Sequence, residues 1–175
     1  MRFTLIDRIT ELDPGKRILA VKNLSMAEEY LADHFPGFPV MPGVLMLEAM
    51  IEAGGWLIRV SEDFAHSIIV LKQVRNVKYG SFVQPGQTLE LQVEIVGQSD
   101  NEVKVKARGT VDGRLTVTAR LVLEKYNLAD RTPERKGTDE QLKRQSRKLL
   151  KLLYTPAGSE EVSSNFIPES QRNAI

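Results

Sequence analysis

Apolar and polar residues alternate strictly through the middle of the chain. Leu89, Leu91, Val93 and Ile95 recur at every second position with Glu90, Gln92 and Glu94 between them, and Val103, Val105 and Ala107 repeat the pattern around Lys104 and Lys106. A period of two sends successive side chains to opposite faces of a pleated strand, so each segment predicts a strand with one buried face. Four strand-like runs emerge, at 67–79, 88–96, 103–111 and 115–123, separated by Gln84-Pro85-Gly86, Gln98-Ser99-Asp100-Asn101 and Asp112-Gly113. Asp112-Gly113 predicts a type I′ hairpin, whose two central residues both need positive φ. The segment from Phe3 to Leu24 reads as two further short strands around the turn Asp13-Pro14-Gly15-Lys16.

Between these strand regions the pattern changes twice. From Ser25 to Pro42, after a short helical turn at Met26 to Leu31, prolines and glycines follow in close order and exclude both helix and central strand. After Gly43 comes Val44-Leu45-Met46-Leu47-Glu48-Ala49-Met50-Ile51-Glu52-Ala53-Gly54-Gly55-Trp56-Leu57-Ile58, free of proline and nearly free of charge, which predicts a helix buried on nearly every side. The expected class is α+β, a long helix wrapped by a curved antiparallel sheet over residues 1–126. Beyond Tyr126 the sheet pattern stops and the chain turns to Lys, Arg, Glu, Ser, Pro and Gly, so 127–175 reads as a C-terminal extension. Within it 139–153 predicts a basic helix, with Leu142, Leu149, Leu150, Leu152 and Leu153 apolar and Lys143, Arg144, Arg147, Lys148 and Lys151 around them. Residues 157–175 predict disorder. The extension is expected to be dispensable for fold and chemistry, while its leucines favour docking onto the domain.

Bulk properties narrow the function classes. The hydrophobic fraction of 42%, charged fraction of 27% and formal charge of +1 give an ordinary globular protein without global attraction to nucleic acid or an anionic membrane. Cysteine is absent, which removes disulfides, thiolate nucleophiles and cysteine metal sites. The first residues meet charge at once, without a signal-peptide core, and no apolar run approaches the roughly 20 residues that span a bilayer, so the cytoplasm is the expected compartment.

Chemistry concentrates in Asp33-His34-Phe35-Pro36-Gly37-Phe38-Pro39-Val40-Met41-Pro42-Gly43, followed by Glu48 in the second turn of the predicted helix. Histidine titrates near neutrality and suits a general base. A carboxyl in an apolar row tends to stay protonated, the state a general acid requires. Gly43 would offer a backbone N–H at the positive end of the helix dipole, open to a ligand carbonyl. Each residue alone has a plainer reading: His34 as a structural hydrogen-bonder, Glu48 as a side chain reaching solvent, the prolines and glycines as a turn. Their joint order favours a site.

The run from His34 to Leu45 with Glu48-Ala49-Met50 resembles the signature of FabZ-type 3-hydroxyacyl-[acyl-carrier-protein] dehydratases. Weaker similarity continues through Val74-Arg75-Asn76-Val77-Lys78-Tyr79, Val83-Gln84-Pro85-Gly86-Gln87 and Val111-Asp112-Gly113-Arg114. The resemblance implies a hot-dog fold assembled as homodimers or trimers of dimers, with the histidine and glutamate of one site on different subunits. It implies His34 as base, Glu48 as acid, Gly43 as the enolate's amide donor, and Pro42, Val44 and Phe35 in substrate binding. No metal or other cofactor is implied, because the substrate arrives on the phosphopantetheine of acyl carrier protein, an acidic partner that Lys72, Arg75 and Lys78 would attract. A solvated strand face explains these three cations equally well. Where the family usually has glutamine, this chain has Glu52, which either perturbs Glu48 by like-charge coupling or sits at an interface or solvent gap. An isomerising dehydratase of the FabA type would carry aspartate in place of Glu48. The alternatives are a non-catalytic module binding acyl chains or acyl carrier protein and, third, a hot-dog thioesterase.

Overall fold

The computed structural model describes residues 4–156. Its elements are β1 (Arg8–Asp13), β2 (Arg17–Asn23), α1 (Gly43–Ser61), β3 (Ile68–Tyr79), β4 (Thr88–Gln98), β5 (Glu102–Val111), β6 (Arg114–Tyr126) and α2 (Lys136–Leu153). The six strands form one antiparallel sheet in the order β1-β2-β4-β5-β6-β3. The expected turn residues make the connections: Gly15 and Gly86 take positive φ, and Asp112 and Gly113 have φ of 51° and 74°.

Helix α1 lies against the concave face through Met46, Ala49, Met50, Ala53, Leu57 and Ile58, where Leu91, Val93, Val105 and Leu123 meet it. Gly54 sets how close the helix comes. A Cβ there would lie 2.9 Å from Leu123 Cδ1 and 3.7 Å from Val93 Cγ1, so only hydrogen fits without a shift. The helix is less enclosed than its sequence predicts: Val44 and Glu48 are exposed, and Leu45, Leu47, Ile51 and Glu52 are half-buried. They form a stripe turned away from the sheet.

Two features of the sheet bear on the site. Strand β3 is an edge strand of 12 residues with irregular register between Leu71 and Gln73 and between Arg75 and Lys78, and most of its side chains are exposed. Such an edge offers unpaired backbone groups to another chain. The loop ahead of α1 is tied to the connection between β3 and β4 by the Met41 amide, which donates to Val83 O at 2.9 Å.

Helix α2 docks on the domain. It starts at Lys136, three residues before the predicted 139, because the turn Pro133–Arg135 leads directly into it. Leu153 is buried, Leu149 and Leu150 pack partly buried against the core, and Leu152 is 81% exposed, so the predicted apolar face is narrower than five leucines. Asp139, 2% exposed, anchors the start. It accepts from the Ser67 hydroxyl, and the amides of Leu128 and Ala129 both donate to it at 2.9 Å. Desolvation pushes its carboxyl up, yet these hydrogen bonds, Ser67 first, together with the charge of Lys143 hold it below the ordinary aspartate range. Further along, the Arg147 guanidinium donates to Asp63 O at 2.8 Å and stacks 4.7 Å over the Phe64 ring. The segment predicted as disordered, 157–175, lies outside the described residues.

Candidate active site

His34 sits in the shaped loop with its backbone N–H donating to Tyr30 O at 3.0 Å. Its ring Nδ1 lies 3.0 Å from Val40 O, and Val40 is fully buried. A carbonyl only accepts, so Nδ1 must carry the hydrogen and donate, which leaves the Nε2 lone pair as the basic one. Phe35 is bulky, yet adopts φ of 54°. That left-handed conformation costs energy in a side chain of this kind and is retained only where surrounding contacts impose it. Its ring lies 4.4 Å from the His34 ring, centroid to centroid, and its carbonyl accepts from the Phe38 amide at 2.7 Å.

Gly43 is the first residue of α1 and Pro42 its cap. The Pro42 carbonyl accepts from the amides of Leu45 and Met46 and so closes the first turn. A Cβ on Gly43 would come within 3.0 Å of Tyr79 Cε1 and 3.1 Å of Cζ, so the aromatic ring of β3 rests directly on the helix start. Val44 beside it is 69% exposed. Phe35, Phe38, Tyr79 and Phe82 are exposed as well, Phe38 and Phe82 touching edge to face at 5.6 Å. Exposed apolar patches mark ligand or partner contacts.

Glu48 departs from the burial its sequence context suggests. Within the single chain it is exposed on the free stripe of α1, and no hydrogen bond or ion pair among the described residues joins it to His34. The less exposed carboxyl is Glu52, half-buried one turn further on. Its Oε2 accepts from the amides of Leu5 at 2.7 Å and Ile6 at 3.3 Å, tying the N-terminal segment to α1. Desolvation pushes the Glu52 carboxyl above the ordinary range; the two amides and the Trp56 indole pull it back only in part, and the charge of Glu48 adds to the rise. The indole nevertheless lacks a well-formed hydrogen bond, its Nε1 being buried without a partner. Glu52 therefore has both a structural role and electrostatic coupling to Glu48. The two carboxyls line one cavity of about 180 Å³, which His34 does not line.

The basic residues of β3 divide. Lys72 is engaged within the sheet, 2.7 Å from Glu102 and 3.5 Å from Glu124. Arg75 and Lys78 are exposed and form no ion pair among the described residues. Arg75 instead faces Arg120 of β6, which faces Lys106 of β5, so three exposed cations run side by side across the outer face. Like charges directly opposite one another are unfavourable, and only at one end does this row meet a carboxylate, Glu94 of β4 opposite Lys106. Lys106 and Arg120 carry no local sequence signal; only strand register joins them to Arg75.

Comparison with known proteins places these residues in a family. The model of the FabA-like domain matches residues 1–120. The 3-hydroxyacyl-[acyl-carrier-protein] dehydratase FabZ of Thiobacillus denitrificans is 42% identical over 123 residues, covering 69% of this chain and 85% of that protein. Its counterpart from Ruminiclostridium cellulolyticum is 39% identical over 113 residues, covering 65% and 80%. The chain belongs to the FabZ-type dehydratases. Among solved structures, the dehydratase heterocomplex ApeI:P from Xenorhabdus doucetiae superimposes with a TM-score of 0.59 at 19% identity, covering 72% of this chain and 85% of that one. The PaaI protein of E. coli gives 0.52 at 12% identity, covering 67% and 81%. These likenesses establish the hot-dog fold. Helix α2 lies beyond the end of the matched FabA-like domain.

Proposed function

We propose that this chain dehydrates 3-hydroxyacyl thioesters to trans-2-enoyl thioesters in fatty-acid or related lipid synthesis, with His34 as base and Glu48 as acid. The observation that carries this reading is the hydrogen bond between His34 Nδ1 and Val40 O, since it presents Nε2 as the acceptor. Nε2 removes a proton from C2, the carbon next to the thioester carbonyl. The Gly43 amide, at the positive start of α1, holds the enolate oxygen. Glu48 gives its proton to the C3 hydroxyl, which leaves as water while the C2–C3 double bond forms. The proton on His34 then returns to Glu48 through solvent. Acid, base and amide complete this elimination, so the proposal includes no metal or other cofactor. Pro42, Val44 and Phe35 bound the substrate around the amide.

The same reading takes the protein as a cytoplasmic homodimer, or a trimer of dimers, in which His34 of one subunit works with Glu48 of the other. In its support, β3 is an edge strand whose Tyr79 rests on the start of α1, and Phe35, Phe38, Val44 and Phe82 are exposed, Phe35 lying against the His34 ring. Acyl carrier protein is the proposed donor, drawn by Arg75, Lys78, Arg120 and Lys106 rather than by the paired Lys72. The test is the ultraviolet absorbance of a conjugated enoyl thioester when purified protein meets 3-hydroxyacyl groups on carrier protein and on coenzyme A. Absorbance should grow on both and faster on the carrier. Carrier binding without any enoyl product would make the chain a binding module instead.

A further inference from the structure

We infer that α2, which lies outside the family domain, forms a wall of the pocket that receives the acyl chain, and that Ser146 and Leu149 select its length. The inference rests on the dehydratase reading and adds to it. Glu48 shares its cavity of about 180 Å³ with Ile51 and Trp56 of α1 and with Ser146 and Leu149 of α2. Position follows from the chemistry: the hydroxyl protonated by Glu48 sits on C3, and the hydrocarbon chain leaves from that same carbon. Whatever surrounds Glu48 must therefore meet the first carbons of the acyl chain. Ile51, Trp56, Ile69 and Leu149 give the cavity an apolar side for such a chain, while Glu52 and Arg59 keep its other side polar.

The wall is held firmly enough to discriminate. Ser146 is 6% exposed, Asp139 fixes the helix one end away through three hydrogen bonds, and Arg147 fixes the next residue through Asp63 and Phe64. Ser146 and Leu149 both line the cavity, the first with a small polar side chain and the second with a branched apolar one. Leu152, 81% exposed, belongs to the same helix but not to this face, and so provides the control.

The experiment measures kcat/KM for butyryl-length and dodecanoyl-length 3-hydroxyacyl carrier protein, and in parallel the affinity for non-reactive thioether analogues of the same two lengths. Variants are Leu149→Ala, Ser146→Phe and Leu152→Ala in the full chain. A methylene in a fitted apolar pocket is worth about 10-fold or more in discrimination. Leu149→Ala should therefore raise the long-to-short ratio by about 10-fold and Ser146→Phe lower it by as much, with Leu152→Ala unchanged. If Ser146→Phe fails to fold, Leu149→Ala alone decides. Ratios in both assays that are the same for wild type and Leu149→Ala would overturn the wall. Wild-type protein that binds the analogues with a ratio sensitive to Leu149→Ala, yet forms no enoyl product, would instead overturn the dehydratase reading and leave the wall standing.

Discussion

At His34 one backbone carbonyl decides which ring nitrogen is basic, and at Gly43 one missing methyl decides how closely β3 approaches α1. The second point is open to direct measurement. Gly43→Ala places a Cβ about 3 Å from the Tyr79 ring, and overpacking of this kind costs about 1–3 kcal/mol. A double-mutant cycle with Tyr79→Ala should recover part of that loss; simple additivity would show that the ring gives way freely. Glu52 offers a test with a definite sign. Its folded-state pKa is raised, so its contribution to stability is full below the unfolded glutamate value of about 4.3 and is lost as pH rises through the folded value. Glu52→Gln keeps an acceptor for Leu5 and Ile6 but removes the charge. It should melt higher than wild type at pH 7 and show a flatter dependence above pH ~4.3; a lower midpoint at pH 7 would mean that the carboxylate's hydrogen bonds outweigh its desolvation. Sequence singled out His34, Gly43 and Glu48 as candidates because loop chemistry and helix periodicity are local. It could not tell which of Glu48 and Glu52 is the more enclosed, since that depends on Leu5 and Ile6, more than forty residues away in the chain.

Among the elements, every strand and both long helices were legible, and the reasons are physical. Alternation at Leu89 to Ile95 and at Val103 to Ala107 reflects one buried face, and Asp112-Gly113 can hardly be anything but a tight hairpin. The irregular register of β3 was not legible, because Asn76 at φ 53° follows from how β3 bends along β6 rather than from its own neighbours. Docking of α2 was legible only as an amphipathic tendency. Its anchor, Asp139, looked like an ordinary charge at a helix start, and its partners Ser67, Leu128 and Ala129 are known only from the fold. Asp139→Ala leaves the two amides and the hydroxyl without their acceptor, a loss of about 1–3 kcal/mol that thermal melting should detect. The pH dependence runs opposite to that of Glu52. A depressed aspartate stabilises above its unfolded value of about 3.9 and loses that contribution as pH falls through the folded value, so Asp139→Asn should weaken the acid unfolding step below pH ~3.9. An unchanged acid limb would remove Asp139 as the anchor.

For the whole molecule, the central matter is that the proposed function requires His34 of one chain to meet Glu48 of another. They share no hydrogen bond, and the cavity beside Glu48 does not include His34. The exposed Phe35 against His34, the exposed Phe38–Phe82 pair and the open edge of β3 are what a second copy would cover. Mixing His34→Ala with Glu48→Gln protein should then restore some turnover after subunit exchange, because a mixed dimer contains one intact pair; no recovery despite demonstrated exchange would argue for a site built from one chain. The measurement that bears most directly on the account is enoyl formation by each variant alone. His34→Ala and Glu48→Gln should remain folded oligomers, by melting and by size, and each should turn over 3-hydroxyacyl carrier protein about 10²–10⁴-fold more slowly than wild type. Near-normal turnover in either variant would contradict the assignment of base and acid.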